Sequence, residues 1–257
     1  MSKVKQSVNI VSLRGGKMSK LLSIVVANHG RDISALKKFV QDRNKGDVEL
    51  IVCDAGFERS KQRNVAIQNS SGDYILWLDS DQTITNELVD ETFEIFNKTD
   101  ATCIVYPEQI IAKGFFAKVR QFDAEFCVDT LVWVPRAVRK ECCPLFNENE
   151  HGTEDSSWDR QIKGLRGYAK NPIYHHDQID LITYLKKKAY YSKSIPAFAK
   201  ANKGDRLLTF KYRVIDVYWG KDWKRQKIFK HPFMFLCVMF VVFLRGVVLI
   251  FNTKKLY

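Results

Sequence analysis

The sequence predicts an α/β protein built on an open, mostly parallel sheet with flanking helices. Two observations predict this class. From Leu21 onward, short apolar runs alternate with amphipathic stretches, which is the pattern of successive β-α units. Polar residues directly follow several of these apolar runs, as they do where parallel strands end at a ligand-binding crevice.

The strands of this sheet are predicted from runs rich in β-branched and aromatic residues. They are LLSIVVA (21–27), VELIVCD (48–54), DYILWLD (73–79) and TCIVY (102–106).

Helices are expected between these strands. The first runs from about Asp32, as its N-cap, to Val40. The second follows Ser60. The third presents three apolar residues to the sheet at helical spacing, Leu88, Phe93 and Phe96.

The second half of the chain predicts fewer regular elements. DTLVWV (129–134) is typical of a short strand, and a helix is expected to open at Glu154. Its inner face would carry Trp158, Ile162 and Leu165. A last strand, IYHH, covers 173–176.

Composition divides the chain into three regions. Residues 1–17 are polar and are expected to form a disordered N-terminal extension, 18–180 the α/β domain, and 181–257 a region of different character. Six cysteines show no C-x-x-C and no histidine at zinc spacing, so neither a zinc site nor a disulfide framework is indicated. A reduced, cytosolic environment fits this pattern.

The net charge of +12, from 41 Lys and Arg against 29 Asp and Glu, suits a polyanionic partner. No nucleic-acid recognition module accompanies it. The first strand is not followed by G-x-G-x-x-G, so the sequence does not indicate a dinucleotide cofactor.

Polar residues follow three of the predicted strands: Ala27-Asn28-His29, Asp54-Ala55-Gly56 and Asp79-Ser80-Asp81. Two carboxylates at i and i+2 past a strand end can reach one hard divalent cation, Mg²⁺ or Mn²⁺, which would neutralise a diphosphate. The alternative is a plain turn in which Asp79 and Ser80 cap the backbone.

One family resemblance rests on the stretch around the D-x-D. Phosphatases of the haloacid dehalogenase type carry an apolar strand followed by D-x-D-x-T, which Asp79, Asp81 and Thr83 match. That resemblance implies Asp79 as nucleophile and Asp81 as general acid. The motif sits on the first strand in that family, whereas two β-α units precede it here.

A second resemblance covers about residues 21–177. In order and spacing, SIVVANHGRD, VELIVCDAGF, RSKQRNVAIQNSSGDYILWLDSD and HGTEDSSWDRQIKGLRGY resemble the family 2 glycosyltransferases with the GT-A fold. The most specific part is RNVAIQNSSGDYILWLDSD. The resemblance implies a sugar donor of the UDP- or GDP-sugar type and a Mg²⁺ or Mn²⁺ cofactor.

The same resemblance implies roles for individual residues. Backbone around Ala27 and Asn28, with Asp54, would hold the nucleoside base, and Arg63 would face the base or the diphosphate. Asp79 would contact the ribose or the metal, and Asp81 would bind the metal. The chain departs from the common family pattern at four positions: Ala27, Gly30, Ala55 and Phe57.

Glu154-Asp155 resembles the acidic pair of the same family. Inverting transfer needs a carboxylate that takes the proton from the acceptor hydroxyl, and Asp155 is the candidate base, with Glu154 beside it. The alternative is that both acids complement the dipole of the helix they open. A histidine downstream completes the metal site in several members, and His175 or His176 could do so, with His176 preferred.

The C-terminal region predicts membrane contact. Residues 233–251 hold 14 Leu, Ile, Val and Phe, worth roughly −4 to −8 kcal/mol of insertion free energy against about +2.5 to +3.5 for Arg245. Residues 206–231 carry eight Lys and Arg and two Asp, with Trp and Tyr at helical spacing. Such a pattern is typical of anchoring to an anionic membrane surface, with 233–251 either spanning it or lying in its plane. The alternative is that 233–251 is the buried core helix of a soluble protein.

These inferences combine into one hypothesis. The protein would be a metal-dependent glycosyltransferase at the cytoplasmic face of the membrane, peripheral or anchored through 233–251. It would act on a lipid-linked or glycan acceptor, such as a polyprenol-linked glycan. The alternatives are the phosphatase and a non-catalytic membrane-binding protein with the same fold.

Overall fold

The structure, a computed structural model, describes residues 8–12, 20–43, 45–54, 56 and 58–253. Its strands are β1 (Val8–Ser12), β2 (Leu22–Ala27), β3 (Val48–Cys53), β4 (Tyr74–Asp79), β5 (Gln82–Thr83), β6 (Ala101–Val105), β7 (Glu108–Ile110), β8 (Ala137–Arg139), β9 (Leu165–Tyr168) and β10 (Ile173–His175).

The helices follow the same chain order. They are α1 (Ser34–Arg43), α2 (Arg59–Gln68), α3 (Asn86–Lys98), α4 (Phe115–Cys127), α5 (Glu154–Gln161), α6 (Leu181–Ser192), α7 (Ile195–Ala201), α8 (Val217–Trp219), α9 (Asp222–Lys230) and α10 (Pro232–Thr253). A π-helical segment, Lys211–Asp216, precedes α8.

Seven strands form one sheet in the order β1-β3-β2-β4-β8-β6-β9. The central strands β3, β2 and β4 are parallel, and β1 and β8 pair antiparallel with their neighbours. Every residue of β2 and β3 is buried, because helices cover both faces of a parallel sheet. The predicted α/β class is therefore confirmed, with antiparallel strands added at the edge and beside β4.

The chain divides into two compact units. The first comprises Met1–Pro107, Pro135–Asn149 and Ser157–His176, and the second Glu108–Val134, Glu150–Ser156 and Asp177–Tyr257. Each has its own apolar core. The core of the first centres on the sheet, and that of the second on α4, α9 and α10. The second unit therefore contains the predicted C-terminal region together with 108–134.

Several sequence expectations differ from the structure. Residues 8–12 of the expected disordered extension form β1, because they pair with β3. The remainder of 1–17 lies outside the described residues. The first helix begins at Ser34 and not at Asp32, whose carboxylate accepts the Ser34 N–H at 2.8 Å.

The predicted strand at 129–134 is wrong. The backbone there is satisfied by turns, since the N–H of Thr130 donates to the Cys127 carbonyl and that of Trp133 to the Thr130 carbonyl. The strand that does form is β8, inserted between β4 and β6.

The helix that opens at Glu154 is shorter than expected. It ends at Gln161. Trp158 is buried as predicted, but Leu165 belongs to β9 and is exposed, because the helical spacing does not continue beyond Gln161.

The second unit carries α10 on its core. Among the described residues, α10 is the helix that is long and apolar enough to cross a membrane by length and composition. Phe235, Val238 and Val241 pack into the unit, and much of the rest of the helix surface is exposed and apolar.

Candidate functional site

The carboxyl ends of β2, β3 and β4 meet at one edge of the sheet. Ala27 is paired in register with Cys53 on one side and with Asp79 on the other. The residues that follow these strands are therefore neighbours, and the predicted convergence of Asn28, Asp54 and Asp79 is confirmed.

Asp79 ends β4 and is held by two arginines. Arg63 Nη2 donates to Asp79 Oδ1 at 2.7 Å, and Arg136 Nη1 donates to Oδ2 at 3.4 Å. Burial would raise the pKa of the Asp79 carboxyl, but the charges of Arg63 and Arg136 outweigh it and hold the pKa far below its usual range. Asp79 is therefore an ionised carboxylate whose two oxygens both have cationic partners.

The two arginines are themselves fixed by aromatic rings. The guanidinium of Arg63 lies 4.3 Å from the centroid of Trp77 and 4.9 Å from that of Phe146. That of Arg136 lies 3.9 Å from the Trp77 centroid. Cation–π contact of this kind is strongest away from water, and both arginines are buried.

Asp81 faces different partners. Its Oδ2 accepts a hydrogen bond from Arg31 Nη1, and its Oδ1 lies 3.4 Å from His175 Nε2. Burial would raise the pKa of Asp81, but the hydrogen bond and charge of His175 and the hydrogen bond from Arg31 lower it. Arg31 is 54% exposed in its side chain, so this ion pair borders solvent.

The histidine beside Asp81 is not the preferred one of the sequence. His176 directs its Nε2 to Thr83 Oγ1 at 2.8 Å, and only its backbone N–H meets Asp81, at the carbonyl oxygen. Adjacent residues at a strand end point to opposite sides, so when His175 faces Asp81, His176 cannot. Thr83 thereby has its side-chain partner in His176, directly after β10, and does not contact Asp81 through it.

These residues fit a divalent cation that is shared with a substrate. No group of three or more His, Cys, Asp or Glu side chains that could hold a metal occurs among the described residues. Mg²⁺, however, is usually held by one or two carboxylates together with substrate phosphates. Asp81 with His175 provides such a partial set, whereas both oxygens of Asp79 are already engaged.

A pocket of about 210 Å³ opens beyond the ends of β2 and β3. Asn28, Arg31, Asp32 and Asp54 are among its lining residues. Asn28 is buried, and its side chain shapes the loop: Oδ1 accepts the Arg31 N–H at 3.1 Å and Nδ2 donates to the Arg31 carbonyl at 3.2 Å. Asn28 thus positions Arg31 between the pocket and Asp81.

Arg63 and Asn64, which are adjacent on α2, both contact Phe146. Asn64 holds the segment at Phe146, since its Nδ2 donates to the Phe146 carbonyl at 2.9 Å and its Oδ1 accepts the Phe146 N–H at 2.7 Å. Arg63 was expected to face the base or the diphosphate, but it is fully buried and faces Asp79. Its guanidinium neutralises that carboxylate. Ala55 and Phe57 lie outside the described residues.

Glu154 and Asp155 are the first two residues of α5 and belong to the second unit, whereas the helix from Ser157 onward belongs to the first. Glu154 is buried, and its Oε2 accepts the N–H of Gly152. Gly152 has a φ of +109° and packs so closely on Tyr191 that a Cβ would overlap it. Glu154 is therefore occupied in holding its own loop, while Asp155 is half-buried. The expected catalytic role of the pair stays a prediction.

Sequence reasoning missed Arg31, Arg136 and Gln62. Arg31 carried a weak signal, since it stands in the loop after the first strand. Arg136 carried none, because only the pairing of β8 with β4 brings it to Trp77. Gln62 joins the loops by donating to the carbonyls of Asn28, at 2.8 Å, and Gly56, at 2.9 Å.

Comparison with known proteins relates this geometry to a family. A family model described as glycosyl transferase family 2 matches residues 20–152. No curated protein matches the chain. Among solved structures, a mannosyltransferase from Pyrobaculum calidifontis in complex with GDP-Man and Mn²⁺ is 10% identical with a TM-score of 0.50, covering 74% of this chain and 66% of that one.

A second group of structures is more distant. TarS of S. aureus is 12% identical with a TM-score of 0.44, over 68% of this chain and 39% of that chain. Its fragment 1–349 in complex with UDP-GlcNAc is 12% identical with a TM-score of 0.42, covering 68% of this chain and 66% of the fragment. The match therefore covers well under half of that TarS chain.

Proposed function

The chain belongs to glycosyl transferase family 2, and on this premise we propose that it moves a sugar from a nucleoside diphosphate donor, with inversion, to a membrane-associated acceptor. The observation that carries the proposal is the pair of acids after β4. Asp79 is held ionised by two buried arginines, and Asp81 is directed to an imidazole and an exposed guanidinium.

The donor is a UDP- or GDP-sugar. The pocket lined by Asn28 and Asp54 has room for part of a nucleoside, since pockets for a whole drug-sized ligand run from about 300 Å³ upward. Arg31 borders both this pocket and Asp81, where a diphosphate would extend from the nucleoside. The mannosyltransferase of similar fold, solved with GDP-Man, supports a nucleotide-sugar as the donor class.

The cofactor is Mg²⁺ or Mn²⁺. Asp81 would hold it, with His175 in preference to His176, and Asp79 would keep the arginines in place beside it. When bound, the ion neutralises charge that develops on the leaving diphosphate. Arg31, released from Asp81, would donate to the same phosphate oxygens.

The acceptor is lipid-linked or another glycan at the cytoplasmic face of the membrane, such as a polyprenol-linked glycan. Asp155 takes the proton from the attacking hydroxyl as that oxygen bonds to the anomeric carbon and the bond to the diphosphate breaks. The apolar and basic C-terminal region, with 233–251 as its anchor, supports an acceptor of this kind.

The geometry does not favour the phosphatase alternative. A nucleophilic carboxylate needs a free oxygen, and both oxygens of Asp79 are paired with guanidinium groups. A burst of phosphate released from a small phosphate ester would nevertheless establish the phosphatase alternative if Asp79→Asn abolished the burst.

The test is thermal stability of the full chain with a panel of UDP- and GDP-sugars and Mn²⁺. A donor at one hundred times its Kd stabilises by about 2.7 kcal/mol, which raises the Tm by roughly 5 to 10 °C for a chain of this size. The shift should vanish in Asp81→Asn. If no nucleotide-sugar shifts the wild type, and the protein still binds anionic vesicles, the non-catalytic alternative is correct.

A further inference from the structure

Helix α10 has two unlike faces. Phe235, Val238 and Val241 are buried in the second unit. Four other residues are largely exposed: Phe233 at 66%, Leu236 at 67%, Phe240 at 57% and Phe243 at 64%. At about 100° per residue these two sets lie on nearly opposite sides of the helix. We call the second set the apolar stripe.

Arg245, the one charged residue of α10, lies on the side of the helix that packs into the second unit. Arg245 Nη2 lies 3.2 Å from Asp123 Oδ2, and its Nη1 donates to the Tyr184 hydroxyl at 3.3 Å. The hydroxyl of Tyr218 donates to the other oxygen of Asp123 at 2.5 Å. Arg245 is therefore neutralised within the unit, and removing α10 would leave the carboxylate of Asp123 without its cation.

The helices that cover α10 are charged. It packs along α4, which carries Arg120 and Glu125, and along α6, which carries Lys186, Lys187 and Lys188. With 22 residues α10 is about 33 Å long, enough to cross the roughly 30 Å hydrocarbon layer. Crossing while still packed would carry these charges into hydrocarbon, at about 2.5 to 3.5 kcal/mol each.

The surroundings of the apolar stripe match a lipid headgroup layer. Phe115 extends the stripe, since its ring centroid lies 6.1 Å from that of Phe233, and Phe229 and Trp223 are also exposed. Residues 177–257 contain seventeen Lys and Arg against five Asp and no Glu. Exposed aromatic rings among exposed lysines suit the boundary between acyl chains and anionic headgroups.

We propose that α10 is an in-plane anchor that enters one leaflet of an anionic membrane and does not cross it. The apolar stripe inserts among the acyl chains, and the opposite face stays on α4 and α6 with Arg245 bound to Asp123. The proposal deepens the membrane location given under the proposed function, but it requires no sugar transfer.

Binding is tested by flotation of the full chain with vesicles of phosphatidylcholine, alone and with added phosphatidylserine. The wild type should float with the anionic vesicles, and Phe240→Asp or Phe243→Asp should lower the partition coefficient about tenfold or more. Leu165→Asp is the matched control, because Leu165 is equally exposed, at 65%, but belongs to the first unit. Unchanged flotation of both Phe variants would overturn the proposal.

Topology is tested by adding Lys230→Cys and Asn252→Cys separately and labelling isolated membranes with an impermeant maleimide, with labelled peptides identified by mass spectrometry. Both positions should react from the same side of the membrane. Reaction from opposite sides would show a spanning helix and overturn the proposal.

Two further outcomes separate this proposal from its competitors. If the stripe binds a second copy of the chain, sedimentation without vesicles will show a dimer that Phe240→Asp dissociates, and the anchor is wrong. Failure of sugar donors to shift the Tm, with flotation and same-side labelling intact, would refute the proposed function and leave the anchor standing.

Discussion

At the scale of single residues, Asp79 and Asp81 are two positions apart and have different partners. Asp79 meets Arg63, which is fully buried, and Asp81 meets Arg31, which is half-exposed. Removing one member of a buried pair leaves an uncompensated charge, whereas an exposed pair is worth little. Replacing Asp79 should therefore lower the stability of the fold more than replacing Asp81.

We expect Asp79→Asn to lower the free energy of unfolding by about 3 kcal/mol. Asp81→Asn should change it by less than about 1 kcal/mol and should instead abolish metal-dependent donor binding. Urea unfolding and donor titration with Mn²⁺ measure the two effects. Equal loss of stability in both variants would contradict the different roles of the two acids.

Arg31 occupies the carboxylate that the metal would use. Without donor, Arg31→Ala should tighten Mn²⁺ binding about two- to fivefold, because the competing ion pair is exposed and weak. The same variant should weaken nucleotide-sugar binding, since the cation beside the diphosphate is lost. Titration followed by electron paramagnetic resonance of free Mn²⁺ measures the first effect, and Arg31→Lys, which keeps the charge, is the control.

The sequence identified the two acids and their place at a strand end, because an apolar run followed by D-x-D is a local signal. It did not identify the partners that distinguish them. Arg31, Arg136 and His175 come from three distant segments, and only the register of β8 and β10 with their neighbours brings two of them near the acids. Local patterns carry no information about such registers.

At the scale of elements, the turn before β4 is built for close contact with β2. A Cβ on Gly72 would lie 2.6 Å from the Leu21 carbonyl oxygen and 2.8 Å from the Ser23 nitrogen. The carboxylate of Asp73 accepts the Leu21 N–H at 2.9 Å. The Gly-Asp-Tyr segment, which resembles the family by its sequence, thus aligns β4 with β2. This alignment sets the position of Asp79 at the end of β4.

We expect Gly72→Ala to destabilise the fold by about 2 to 3 kcal/mol, because backbone atoms cannot move aside as a flexible side chain can. Thermal unfolding measures the effect. Gly246→Ala is the matched control: it lies within α10 with no heavy atom within 4 Å of its added Cβ, so it should stabilise by roughly 0.5 to 1 kcal/mol. Similar Tm values for the two variants would contradict the close approach.

Glu49 on β3 fastens the same turn. It accepts hydrogen bonds from the hydroxyl of Ser71 at 2.7 Å and from the N–H groups of Ser71 and Gly72 at 2.6 and 3.1 Å. Burial would raise the pKa of Glu49, but these bonds and that of Ser23 outweigh it and lower the pKa. A lowered pKa in the folded state adds stability above the unfolded value of about 4.3.

That stability should be lost as the pH falls through the lowered pKa. Glu49→Gln keeps the shape but not the charge, so it should be less stable than wild type at pH 7. The difference should shrink below about pH 4. Urea midpoints across this range measure it, and a difference that is independent of pH would contradict the assignment to Glu49.

The elements that the sequence predicted well are long and strongly patterned. The four early strands lie within one residue of their predicted ends, since continuous β-branched runs mark buried parallel strands. The strand predicted at 129–134 was wrong, because alternating apolar residues also occur in turns. In the turns that form there, the Leu131 N–H donates to the Tyr212 hydroxyl. Three-residue strands such as β8 give no periodic signal of their own.

At the scale of the whole molecule, charge and exposed apolar surface are both concentrated in the second unit. It contains twenty Lys and Arg against twelve Asp and Glu, a net +8, whereas the first unit contains 21 against 17, a net +4. The predicted donor-binding and metal residues all belong to the first unit. Membrane contact and donor binding are thus assigned to different parts of the chain.

We therefore expect the two activities to be lost independently. Phe240→Asp should lower vesicle partitioning about tenfold or more and leave the donor-induced Tm shift unchanged in solution. Asp81→Asn should abolish the Tm shift and leave flotation unchanged. Loss of both properties in either variant would contradict this division of roles.

The arginines around the D-x-D have one more consequence. Arg63, Arg136 and Arg31 form ion pairs with Asp79 and Asp81, so these two carboxylates are balanced by the chain itself without a metal ion. Folding then has no need of the ion. A metal ion that binds together with the donor would therefore be able to leave with the product without unfolding the chain.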